Sequence, residues 1–156
     1  MSTIEKIVSG GQTGVDRAAL DAALQQGIAC GGWCPKGRRA EDGSIDACYP
    51  LIETPERDYT QRTEWNVRDS DGTLILCRGT PGGGTAYTVE TSIFSDKPLL
   101  LLDLNKSDLD KDTDLICHWL TEHDIHVLNI AGPRESQAAG IYQDALVLLN
   151  RLFGGD

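Results

Sequence analysis

Apolar residues along this 156-residue chain come in short unbroken blocks separated by longer amphipathic stretches. Two blocks carry continuous apolar runs: residues 72–77 (GTLILC) and 98–103 (PLLLLD). Such runs suit strands covered on both faces, as in a parallel sheet flanked by helices. Residues 4–8 and 126–130 predict two more strands, and 28–30 and 49–53 predict short ones. Between the blocks the period becomes helical. Val15, Ala18, Ala19, Ala22 and Gln26 share one stripe of a helix that Gly27 ends. Further helices are expected over residues 58–70, 85–94, 112–123 and 136–153.

Strands alternating with helices predict one α/β domain over residues 1–156, with a mainly parallel sheet and helices on both faces. The strands around Ile4, Leu74, Leu99 and Val127 are expected at its centre. No run reaches the length of a membrane span, and no basic-then-apolar leader opens the chain. Five cysteines at irregular spacing (30, 34, 48, 77, 117) suit reduced thiols and a cytoplasmic location. A net charge of −10 argues against a nucleic-acid polymer as partner.

In parallel sheets, ligands bind beyond the carboxyl ends of the strands, so the loops there carry the chemistry. The first is SGGQTGVDRAALDAA, with Gly10, Gly11 and Gly14 between strand and helix. Thr13 is placed to cap the helix and Asp16 to reach back in a capping box. Free N–H groups at such a start favour an anion. The stretch alone fits a tight corner equally well, and it is neither GxGxxG nor a P-loop. RGTPGGGTAYTVE repeats the logic with Gly82, Gly83, Gly84 and a capping Thr85, beside Arg78. AGPRES offers Arg134 and a capping Ser136, and GGWCPKGRRAEDG offers Lys36, Arg38 and Arg39 beside Trp33. Arg17, Arg78 and Arg134 are expected to converge on a small phosphorylated or oxyanionic ligand held between Gly10–Gly14 and Gly82–Thr85. No metal site is expected: DLNKSDLDKDTD has Asp108 where a calcium loop needs glycine, and the histidines and cysteines lack ligand spacing.

SGGQTGVDRAALDAA, GWCPKGRRAEDG, RTEWNVRDSDGTLIL, PGGGTAYTVE and LNIAGPRES together resemble the molybdenum cofactor carrier family. That family belongs to a Rossmann-like superfamily that includes the LONELY GUY phosphoribohydrolases, long labelled lysine decarboxylases. The resemblance implies a Rossmann-like three-layer fold and a ligand phosphate on the glycine loops. It also implies the molybdenum cofactor, or a nucleotide derivative, as cargo. A homo-oligomer, dimer or tetramer, is expected partly on this ground, with Tyr59, Trp65 and Tyr87 as interface aromatics. The hydrolase motif is PGGxGTxxE. This chain lacks one residue before Gly-Thr, and Glu90 comes two residues late. The departure favours a binding role over N-glycosidic hydrolysis of a nucleoside monophosphate, for which Arg78 and Glu90 are the candidate catalytic pair.

Overall fold

The computed structural model describes residues 4–154. The chain runs through β1 (Lys6–Val8), α1 (Val15–Gln26), β2 (Cys30–Gly31), β3 (Trp33–Cys34), β4 (Arg39–Ala40), β5 (Gly43–Ser44) and β6 (Ile52–Glu53). It continues through α2 (Tyr59–Arg68), β7 (Gly72–Cys77), α3 (Gly83–Phe94), β8 (Leu99–Asp103), α4 (Leu109–Glu122), β9 (Val127–Ala131) and α5 (Ile141–Gly154).

Five strands form one parallel sheet in the order β2-β1-β9-β7-β8. Every residue of β7 is buried, as its unbroken apolar run requires. Ala18, Ala19, Ala22 and Ala23 of α1 are fully buried, and their small side chains let the helix lie close against α5. Helix α4 packs beside α5, while α2 and α3 pack together. Right-handed crossovers place these two groups on opposite faces, which gives three layers. The main core lies between the sheet and α1, α4 and α5, with Leu74, Leu76, Leu128 and Ile130 facing Ile116, Leu120, Ile141 and Leu148. No helix among the described residues is long and apolar enough to cross a membrane.

Several local expectations are corrected. The strand at Leu99 is an edge strand, not a central one. Its Leu99 and Leu100 are half-buried and Leu101 is exposed, so an apolar run did not mean full coverage. The strand expected over 49–53 is only Ile52–Glu53, paired with β3 outside the main sheet. Helix α4 starts three residues early because Asp108 accepts from the Lys111 N–H as its cap. Helix α5 starts late, at Ile141, after a single 3-10 turn over Glu135–Gln137.

Candidate functional site

A cavity of about 100 Å³ opens beyond the carboxyl ends of β1 and β9, beside the start of α3. Gly10, Gln12 and Asp16 line it from the first loop, and Asn129, Ala131 and Gly132 from β9 and its exit. Tyr59, Arg62 and Asn66 of α2 form one wall, and Gly84, Thr85 and Thr88 of α3 form another. Arg134 and Gln137 close the rim.

Three guanidinium groups surround the Tyr59 ring, with Arg39 at 4.5 Å, Arg62 at 5.1 Å and Arg134 at 5.7 Å from its centroid. Arg62 is the buried member, its side chain 11% exposed. Its Nη1 donates to the Gly10 carbonyl at 3.0 Å and its Nε to the Tyr59 carbonyl at 3.2 Å. Asp16 lies 3.5 Å from the same Nη1. Burial pushes the Asp16 carboxyl up to about 6, against the pull of Arg62, the Gln12 N–H and Arg17. Among the described residues Arg134 forms one ion pair, with Glu41 at 4.0 Å.

These groups leave donors unused. Nη2 of Arg62, the guanidinium of Arg134, Nε2 of Gln12 and Oγ1 of Thr85 have no hydrogen-bond partner among the described residues. Gln12 and Thr85 are both buried residues. No side-chain nitrogen or oxygen among the described residues is both sealed from solvent and unpartnered. The free donors on Gln12 and Thr85 therefore reach solvent, and both residues line the cavity. A donor-rich, partly buried hollow suits an anion.

The two glycine loops differ in why they are glycine. In the first, the fold itself excludes a side chain. A Cβ on Gly10 would collide with the Arg62 guanidinium, and one on Gly11 would stand 2.5 Å from a Leu51 methyl. Gly14 has φ +78°, and a Cβ there would overlap the Pro133 carbonyl oxygen. In the second, a Cβ on Gly82 or on Gly84 would meet no protein atom within 4 Å. Of its three consecutive glycines, only Gly83 has positive φ, at 51°.

The remaining predicted residues scatter. Thr13 does not cap α1: the cap is Gly14, with no side-chain bond. Its hydroxyl instead donates to Glu41 and accepts from the Glu135 N–H. Asp16 does reach back, accepting from the Gln12 N–H at 3.3 Å. Gly82, not Thr85, is the cap of α3, and Thr85 lies inside its first turn. Ser136 bonds to Glu41 and caps no helix, because α5 begins five residues later. The three loop arginines do not converge. Arg17 is held by the Gly11 carbonyl and Asp42. Arg78 pairs with Asp144 at 2.5 Å and lines a separate hollow of about 310 Å³ with Cys77, Thr80, Pro81 and Pro133. Only Arg134 lines the main cavity. Lys36 is exposed, and Arg38 spends its guanidinium on four loop carbonyls: Ile45, Asp46, Tyr49 and Leu51.

Glu90 is exposed on the outer groove between α2 and α3, with Glu64, Trp65 and Phe94. It does not meet Arg78, and neither lines the cavity. The position three residues after Thr85, where the hydrolase motif carries glutamate, is Thr88. Its hydroxyl donates to the Gly84 carbonyl at 3.0 Å. Of the expected interface aromatics, Tyr59 is half-buried among the arginines, and Trp65 packs edge-on against Trp33 at 4.7 Å.

Sequence reasoning missed Arg62, Tyr59, Gln12 and Asn129. A usable signal was present: Tyr59, Arg62, Thr63 and Asn66 recur at helical spacing on α2, so its inward face is polar.

Read cyclically from β7, the five strands take the doubly wound order 2-1-3-4-5, whose ligand crevice lies between the first and third strands. Those strands are β7 and β9; the cavity is lined by β9 and its exit and by the start of α3, which follows β7. A family model described as "Circularly permutated YpsA SLOG family" matches residues 7–153. The solved structure of a "Putative molybdenum carrier protein" from Syntrophus aciditrophicus SB is 48% identical, with a TM-score of 0.93 over 97% of this chain and 95% of that one. No curated protein matches. The Rossmann-like fold and the carrier-family resemblance read from the sequence both hold, and the chain belongs to the circularly permutated YpsA SLOG family.

Proposed function

We propose that this protein binds and carries a small phosphorylated ligand, with the phosphate in the cavity between Arg62, Arg134 and the start of α3. The observation that carries this reading is the set of donors on Arg62, Arg134, Gln12 and Thr85 that no protein acceptor uses. Each bond from such a donor to a charged oxygen contributes about 1.5–3 kcal/mol. The start of α3 adds roughly 0.3–1 kcal/mol. The open space at Gly82 and Gly84 supports close approach of a ligand to that helix start.

The cavity, at about 100 Å³, suits the oxyanion of a ligand rather than its body. The body extends toward the hollow of about 310 Å³ beside Cys77 and Pro81, which shares Thr85 and Gln137 with the cavity. The molybdenum cofactor, held through its pterin phosphate, and a nucleotide derivative both have this form. The name of the 48% identical protein from Syntrophus favours the first. With Glu90 on the outer groove, no carboxylate reaches the cavity from α3 to serve a hydrolase.

Calorimetry with a phosphorylated compound and its unphosphorylated analogue tests the reading. The phosphorylated form binds at least about tenfold tighter, and Arg134→Ala removes about that factor, equivalent to ~1.4 kcal/mol. Equal affinity for the two forms overturns it.

A further inference from the structure

One group in the cavity runs against the rest. Asp16 is 6% exposed and lines the same hollow as the free donors. Its Oδ2 is engaged by the Gln12 N–H at 3.3 Å and lies 3.5 Å from Arg62 Nη1. Its Oδ1 has no hydrogen-bond partner among the described residues. Since no side-chain oxygen there is both sealed and unpartnered, Oδ1 also reaches solvent, on a residue that lines the cavity. A hollow built for an anion thus presents one bare carboxylate oxygen to it.

Resting on the phosphate reading above, we infer that Asp16 selects the ligand by a proton. Its free oxygen accepts a hydrogen bond from a P–OH, so the cavity takes a singly protonated phosphate or phosphate monoester and rejects an oxyanion that carries no proton, such as sulfate. Two bare anionic oxygens facing each other in a partly buried hollow repel. One proton between them turns the same contact into a short charge-assisted O–H···O⁻ bond. The proton moves from neither partner to solution: the P–OH keeps it, and the carboxylate shares it. The second proton of a phosphate monoester leaves near pH 6, whereas sulfate holds none at neutral pH. Burial brings Asp16 into the same range, so the shared proton is well matched. The cations facing Asp16 are Arg62 from α2 and Arg17 from its own helix. On the rim stand Arg134 and its neighbour Glu41, 4.0 Å apart.

The probes are inorganic phosphate and sulfate, titrated calorimetrically into the native protein at about pH 6.5 and about pH 8.5, in buffers of different ionisation heat. Phosphate is expected to bind at least about tenfold tighter than sulfate. At the higher pH phosphate is HPO4²⁻, which already carries the P–OH that Asp16 accepts from, so it binds with no net proton uptake, whereas sulfate can bind only by bringing a proton onto Asp16. Asp16→Asn, whose amide can donate to either anion, brings the two within about twofold. The phosphate-to-sulfate ratio of the native protein at the higher pH decides the matter without any variant. Sulfate binding as tightly as phosphate at the higher pH overturns the selection by Asp16 and leaves the oxyanion site standing. Binding of neither anion overturns both.

Discussion

The loops after β1 and β7 look alike in sequence, and their glycines exist for opposite reasons. Gly10, Gly11 and Gly14 are required by the protein: a side chain would strike Arg62, Leu51 or the Pro133 carbonyl. Gly82 and Gly84 are required by nothing in the protein: a Cβ there would stand in open space, and neither has positive φ. The first loop is a packed corner, and its Asp16 carboxylate already occupies the Gln12 N–H that an outside anion would use. The second loop is left bare beside unused donors. Glycine enrichment at a strand-to-helix turn therefore does not by itself mark a ligand site.

Four substitutions sharpen this contrast, taken from the largest effect on stability to the smallest. Arg62→Ala leaves Asp16 as a buried, unpaired carboxylate and costs ~3–5 kcal/mol at neutral pH. Because the folded-state value of Asp16 is raised from 3.8 to about 6, its contribution is fully present below about pH 4 and is lost as pH rises through 6. Removing Arg62 raises that value further, so the deficit of the variant shrinks on acidification. Denaturant unfolding at two pH values measures it, and a deficit that grows toward acid contradicts the pairing.

Gly14→Ala combines positive φ with a backbone collision and costs ~2–4 kcal/mol in the same assay. A variant as stable as the parent would show that the first loop is not a packed corner. Gly84→Ala goes the other way. Residue 84 lies in the first turn of α3 with regular geometry, so alanine raises stability by about 0.5–1 kcal/mol. Glu90→Gln changes stability by less than about 0.5 kcal/mol and leaves ligand affinity within about twofold, since its side chain is exposed outside the cavity. A tenfold loss of binding in that variant would return Glu90 to the site.

Much of this fold was legible because its signals are local. GTLILC read as a covered strand and is one, and the small side chains of Ala18, Ala19 and Ala22 read as a face that lies close to its neighbour. The edge position of β8 was not legible, because PLLLLD reads the same at an edge as at a centre; only β9 returning between β1 and β7 decides it. The candidate site was half legible. Loop position pointed to Gly84, Thr85 and Arg134. It could not reveal that Arg78 spends its charge on Asp144, or that Arg38 spends its own on loop carbonyls. Arg62 was hidden because it reaches the cavity from α2, and its contact with Gly10 spans 52 positions of chain.

The central claim is that the bare glycines of the second loop face a ligand. Calorimetric titration of a phosphorylated ligand into the parent and Gly84→Ala proteins, side by side, tests it most directly. Affinity is expected to fall by about tenfold or more in a variant that melts at the same or a higher temperature. Undiminished binding by that variant would contradict it.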